Sequence, residues 1–363
     1  MKCNKIHVVV NTFRGNENTM KKFTKLLLTA ILAIGAAACG TDTSAGTPAD
    51  SGTASATAEA SAAPAESAAD SYTVGIVQLV QHVALDASAK GFQDALVEEL
   101  GEDKVKFDYQ NAAGDSATCS SIVSGFVTEK VDLMLAIATP ALQAAANGTA
   151  VIPVLGTAIT EYGTALSIDD FNGTVGTNVS GTSDLAPLDQ QAAMFDELIP
   201  DAAKIGIIYC SAEANSKYQA EVVKENLEAK GKSVNVYTFT DSNDVQAVTQ
   251  NAVSENDALY IPTDNTAASN TGLIDAVASE AGVPIICGEE GIMSGCGIAT
   301  LSIDYYELGK TTGAMAAKIL RGDANVSEMP IEYYQNPVKK YDAERCEKLG
   351  IKVPDDYEAA PRS

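Results

Sequence analysis

Along this chain, carboxylates, amides and hydroxyls stand where apolar runs give out. In DALYIPTDNTAASN, residues 257–270, the run ends directly on Asp264 and Asn265. The same handover recurs: Gln81 and His82 follow YTVGIVQLV, Thr139 follows VDLMLAIA, and Thr160 follows IPVLGTAI. Ser183 and Asp184 follow GTVGTNVSGT, Ser211, Glu213 and Asn215 follow KIGIIYC, and Glu290 follows VPIICGE. A carboxylate is a charged acceptor for an ammonium group, while hydroxyls and helix N-termini offer neutral donors to an anion. Asp184, Asp264 and Glu290 are therefore read as ammonium acceptors, and Thr139, Thr160, Ser183 and Ser211 as carboxylate donors. Acceptors for a cation beside donors for an anion describe a zwitterion, an α-amino acid. The competing reading of each residue is helix capping, since Asp, Ser, Thr and Asn are the preferred N-caps.

Little else in the sequence does chemistry. His82 is the single histidine beyond His7, and there is no paired-His metal site, nucleophile elbow or phosphate loop. No catalytic residue, metal or cofactor is expected; a hydrolase or lyase using His82 with Asp86 is the alternative from another class. Within the binding class, a nucleoside, sugar or short peptide is the alternative ligand. Beyond Arg14 the arginines are Arg321, Arg345 and Arg362, all late in the chain, so a bidentate clamp on a ligand carboxylate is not foreseen. A net charge of −24, from 24 basic and 48 acidic residues, argues against nucleic-acid binding.

The elements that must position these residues alternate. From Tyr72, Val/Ile/Leu-rich strands separated by amphipathic helices imply parallel βαβ units with helices on both faces of a sheet. After GTVGTNVSGTSDL the pattern restarts, so the 363 residues are read as two Rossmann-like α/β lobes with parallel central sheets. Residues 72–181 with 293–328 are assigned to the first lobe and 182–292 with 329–358 to the second, joined by a three-crossing hinge. Ligands of such sheets bind beyond the carboxyl ends of the strands, which places the polar set in one interlobe cleft.

Residues 1–38 read as a signal peptide, with Met20 as the natural start of MKKFTKLLLTAILAIGAAACG. Residues 39–71 begin at Cys39 and hold no large apolar residue before Tyr72, a disordered tether reaching roughly 30 Å. Five cysteines remain beyond Cys39; Cys287 and Cys296 are close enough in sequence to pair.

The segments VGIVQLVQHVALDASAKGF, DYQNAAGD, VDLMLAIATPALQAAAN, SGTSDLAP, SAEANS, DALYIPTDNTAAS and IDYYELGKTTGAMAAKIL, in this order, resemble the substrate-binding lipoproteins of ABC transporters of the tryptophan/tyrosine type. The resemblance runs from Thr73 to about Val338. It departs at Val83, at Ile159-Thr160-Glu161 and at CGEEG. It implies a type I periplasmic-binding-protein fold, lipidation of Cys39 in GAAAC, and a location on the extracytoplasmic face of the cell membrane. It also implies a monomer that presents an aromatic or hydrophobic amino acid to an ABC-transporter permease. Phe171, Tyr162, Tyr109 and Tyr305 are the candidate aromatic wall.

Overall fold

The computed structural model describes residues 71–360; the signal peptide, Cys39 and the tether up to Asp70 lie outside them. The first lobe opens with β1 (Tyr72–Gln78), α1 (Val83–Leu100), β2 (Val105–Asn111), α2 (Ser116–Glu129) and β3 (Leu133–Ile137). It continues through α3 (Thr139–Gly148), β4 (Val154–Ile159), α4 (Tyr162–Leu166) and β5 (Val179–Ser183). The second lobe follows with α5 (Leu188–Leu198), β6 (Lys204–Cys210), α6 (Ala214–Ala229), β7 (Ser233–Phe239), α7 (Val245–Glu255) and β8 (Ala258–Ile261). Next come α8 (Asn265–Ala268), α9 (Thr271–Ala281), β9 (Ile285–Cys287), α10 (Glu290–Cys296) and β10 (Ala299–Ser302). The tail supplies α11 (Tyr305–Leu320), β11 (Glu332–Tyr333), β12 (Val338–Tyr341), α12 (Ala343–Leu349) and β13 (Glu358–Ala359).

The strands form a six-stranded sheet, β11-β5-β4-β3-β1-β2, and a seven-stranded sheet, β13-β12-β10-β9-β8-β6-β7. Every pairing is parallel except β10 with β12. β3 and β4 are buried along their whole length, which is why they read as unbroken apolar runs.

Three boundary expectations are corrected, the first in that Thr182 and Ser183 complete β5 of the first sheet rather than opening the second lobe. β10 pairs with β9 and β12, so residues 299–302 belong to the second sheet rather than the first lobe. β11 pairs with β5, so residues 332–333 belong to the first sheet rather than the second lobe. The chain passes between the sheets after β5, after β10 and after β11. Cys287 and Cys296 are both buried free thiols.

α11 returns from the second sheet to pack on α1 along glycines. A Cβ at Gly309 would meet the carbonyl of Ser88, and one at Gly91 the carbonyl of Tyr306. The two backbones touch because neither residue carries a side chain there. This contact fixes the first residue of α11, Tyr305, beside the crossing that follows β5.

Candidate ligand-binding site

Asp184 lies immediately after β5 and is 3% exposed. Its Oδ2 accepts the Tyr305 hydroxyl at 2.9 Å, while its buried Oδ1 has no hydrogen-bond partner. Burial pushes the carboxyl above the ordinary range, against the lowering effect of the Tyr305 hydroxyl and of Thr160. No helix makes use of this carboxylate, because α5 begins at Leu188 with Pro187 as its N-cap and Pro has no N–H to offer.

Three further unpartnered buried atoms belong to the strand-end set: Thr139 Oγ1, Asn215 Oδ1 and His82 Nδ1. Asn215 donates Nδ2 to the Thr263 carbonyl at 2.9 Å, which fixes its amide with the oxygen outward from that bond. Thr139 follows Ala138, whose φ of 79° and ψ of 155° lie in territory normally left to glycine. Ala158, near the end of β4, also has a positive φ of 55°. Two non-glycine residues held this way at adjacent strand ends store on the order of 1–3 kcal/mol each, a pattern concentrated at functional sites.

Side chains of the two lobes meet here. His82 Nε2 and Asn265 Oδ1 stand 3.2 Å apart, and Gln219 Nε2 donates to Thr160 Oγ1 at 3.4 Å. A cavity of about 210 Å³ lies where the lobes meet, lined by Leu79, Gly114 and Pro140 from one lobe and Ala212, Glu213, Thr240 and Thr266 from the other; Asp184, Thr139, Asn215 and His82 do not line it.

Several expected ligand contacts are otherwise engaged. Asp264 is the N-cap of α8: Oδ1 accepts from Ala267 N at 2.7 Å and Oδ2 from Cys210 N at 2.6 Å. Both oxygens are occupied, so the capping reading holds for it. Burial, with the Glu213 carboxylate beside it, pushes its pKa up to about 8. Glu213 itself accepts from the backbone N–H groups of Asn265 and Thr266, and from their side chains. Glu290 is half-buried and accepts from Lys340 Nζ and Ser302 Oγ, each at 2.6 Å, so it has its cation already. Its neighbour Glu289 is the buried one, capping α10 through Gly291 N and Ile292 N. Burial raises the Glu289 pKa while His82 works in the opposite direction.

Ser183 Oγ is satisfied between the Thr160 carbonyl and Leu185 N, and Ser211 Oγ donates to the Phe239 carbonyl. Gln81 is exposed ahead of α1. Asp86 accepts from Gln78 rather than from His82, so the His-Asp pair needed for a general base is not formed. Of the four aromatics, Tyr305 alone joins Asp184. Tyr162 is buried between β4 and β5, its single hydroxyl hydrogen shared between the carbonyls of Gly156 and Thr182, each 3.1 Å away. Tyr109 is 37% exposed on β2, and Phe171 lies over Gly163 beside a surface depression.

Two α/β lobes of this topology with polar strand ends facing each other define a cleft-binding receptor. The chain belongs to the ABC transporter substrate binding protein family, whose model matches residues 73–363. These proteins are extracytoplasmic receptors that deliver small molecules to ABC permeases. Among the described residues no helix is long and apolar enough to cross a membrane. The chain is 39% identical over 264 residues to the tyrosine-binding protein of Clostridioides difficile, covering 71% of this chain and 75% of that one. Among solved structures, it matches a Streptococcus pneumoniae ABC domain in complex with L-Trp at TM-score 0.75 and 32% identity, covering 78% and 96% of the two chains. It matches the ligand-free, open form of a Clostridium difficile substrate-binding protein with adhesive properties at TM-score 0.62 and 36% identity, covering 80% and 100%. The less identical, ligand-bound chain superposes better, in keeping with lobes that already touch through His82 and Asn265.

Proposed function

We propose that this protein binds an aromatic amino acid, of the tyrosine or tryptophan kind, between its lobes and presents it to an ABC permease for import. The observation that carries this reading is the unpartnered, buried Oδ1 of Asp184, held in place through Oδ2 by Tyr305. A buried carboxylate with a free oxygen is costly until a charged donor meets it. An α-ammonium group supplies that donor. Thr139 Oγ1 is a neutral group able to donate to the ligand carboxylate, while Asn215 Oδ1 and His82 Nδ1, in a ring whose Nε2–H goes to Asn265 Oδ1, add acceptors for further ammonium hydrogens. The tyrosine-binding relative and the L-Trp complex support the aromatic side chain.

The rest of the chain fits an anchored receptor. Lipidation of Cys39, with residues 40–71 as the tether, would hold a monomeric binding domain near its permease. The reading has no catalytic role for His82, which spends Nε2 on Asn265.

A thermal-shift screen against amino acids, nucleosides and sugars tests the ligand class, because a ligand that binds the folded state raises its apparent stability. Tyrosine, tryptophan or phenylalanine should give the largest shifts; a panel in which only sugars or nucleosides respond overturns the reading. Mass analysis of the N-terminal peptide of membrane-extracted protein checks the acyl group on Cys39.

A further inference from the structure

We propose that the same cleft accepts primary arylalkylamines, the counterparts of aromatic amino acids that lack the carboxylate; this rests on the ammonium reading of Asp184. Among the described residues, every buried charged side chain is acidic: Asp184, Glu213, Asp264 and Glu289. All four lie at carboxyl ends of strands that face the cleft. The described arginines are engaged elsewhere, Arg321 with Glu99 and Asp323, Arg345 with Asp275 and Asp342. The two ends of a zwitterion therefore meet unequal partners.

At the amine end, Asp184 Oδ1 and Asn215 Oδ1 are buried, unpartnered and able only to accept. Asp184 is 3% exposed and Asn215 5% exposed, so water offers these two oxygens little relief. Beyond these the unpartnered groups are Thr139 Oγ1 and His82 Nδ1. Thr139 can serve as a neutral donor, without a charged-donor bond's strength, which is roughly twice that of a neutral pair, and His82 Nδ1, in the neutral ring that gives its Nε2–H to Asn265 Oδ1, is a further acceptor.

Charge balance points the same way. An amino-acid zwitterion brings no net charge to a region where, with Asp264 keeping its proton up to about pH 8, the carboxyls of Asp184, Glu213 and Glu289 still outnumber the one imidazole. A primary ammonium brings a full positive charge, and it does so without a carboxylate that Glu289 and Asp184 would repel at low effective dielectric. Glu289 is within electrostatic reach of both His82 and Asp184. Removing the ligand carboxylate thus loses a neutral hydrogen bond and relieves a like-charge contact, whereas removing the amine strands Asp184.

The test is calorimetric titration of the purified protein with L-tyrosine, L-tryptophan, tyramine, tryptamine and 3-(4-hydroxyphenyl)propionate. The amines should bind within about tenfold of the amino acids, and the propionate at least about a hundredfold more weakly, the loss expected when a buried charged acceptor loses its partner. Asp184→Asn should weaken tyramine by a larger factor than tyrosine, because tyramine has no second charged group to hold it. Tight tyrosine or tryptophan binding with no detectable amine binding overturns the inference and leaves the amino-acid reading standing. A propionate that binds as well as tyrosine overturns both, since the amine would then have no role.

Discussion

The hydroxyl of Tyr305 lies 2.9 Å from Oδ2 of Asp184, although 121 positions separate the two in sequence. Asp184 ends the last strand of the first lobe's opening run, and Tyr305 begins the helix with which the chain returns to that lobe. The bond ties two crossings together and leaves Oδ1 of Asp184 without a well-formed hydrogen bond, with the Thr160 side chain near enough to favour the ionised form. A hydrogen bond on one oxygen holds the carboxylate in orientation without consuming the other, which is what recognition of a third group requires.

Asp184→Asn is expected to weaken aromatic amino-acid binding by about 2–3 kcal/mol, or roughly 30- to 150-fold in Kd, the scale for losing a buried charged partner. Folding stability should hold or rise, since a desolvated carboxylate is replaced by a neutral amide. Titration calorimetry and thermal melts on the variant measure the two separately. Unchanged affinity would remove Asp184 from the site.

Affinity should depend on pH with a definite sign. Asp184 must be ionised to hold an ammonium group, and burial holds its carboxyl above the ordinary range of about 4. Binding is full above the raised value and weakens as pH falls through it, by up to about tenfold per unit. Tyr305→Phe deletes a hydrogen bond that favours the ionised form, so the weakening should begin at higher pH. Kd measured from pH 8 down to pH 4 in both proteins checks this; superimposable curves would argue against it.

Asp264→Asn should act on stability and leave binding nearly intact. Asparagine offers one acceptor where Ala267 N and Cys210 N need two, and the unmet N–H costs about 1–3 kcal/mol. Asp264 carries a folded pKa of about 8 against an ordinary value near 4. The folded state keeps the proton longer, so the contribution of Asp264 is full below about pH 4 and is lost as pH rises toward 8. The Tm advantage of the native protein over the Asp264→Asn variant should accordingly narrow across that window. Thermal melts of the two proteins in matched buffers read it directly, and a gap that widens toward pH 8 would contradict the sign.

Gly309→Ala should loosen the α1–α11 contact. The new methyl meets the backbone carbonyl of Ser88, which cannot swing aside as a side chain would, so overpacking of about 1–3 kcal/mol is expected. Displacement of α11 also moves Tyr305, and ligand affinity should fall with stability. A chemical-denaturation series with and without tyrosine resolves both effects.

Much of the architecture is legible in the sequence because buried parallel strands leave apolar runs that helices interrupt. β3 and β4 are plain examples. The sheet to which a tail strand belongs is less legible: IATLS is apolar in either lobe, and only its pairing with β9 and β12 assigns it. The two aspartates show the same limit at the site. Asp264 and Asp184 sit at similar junctions, yet Asp264 is followed at once by a helix whose third N–H it caps. Asp184 is followed by Leu-Ala-Pro, and a proline three residues on has no N–H to cap. That spacing is the available signal that Asp184, rather than Asp264, is the acceptor left over. No comparable signal separates Glu289 from Glu290, because Lys340 reaches Glu290 from 50 positions away.

The membership of α11 and β11 in the first lobe also sets an order of assembly. The lobe that starts at Tyr72 receives its edge strand and the helix covering α1 only from residues 305–333, after most of the second sheet has been threaded between. Its contacts are therefore of long range and form late, the topology that slows folding. A chain made in order from its N-terminus therefore has β6 to β10 of its second sheet in hand while its first still lacks α11 and β11.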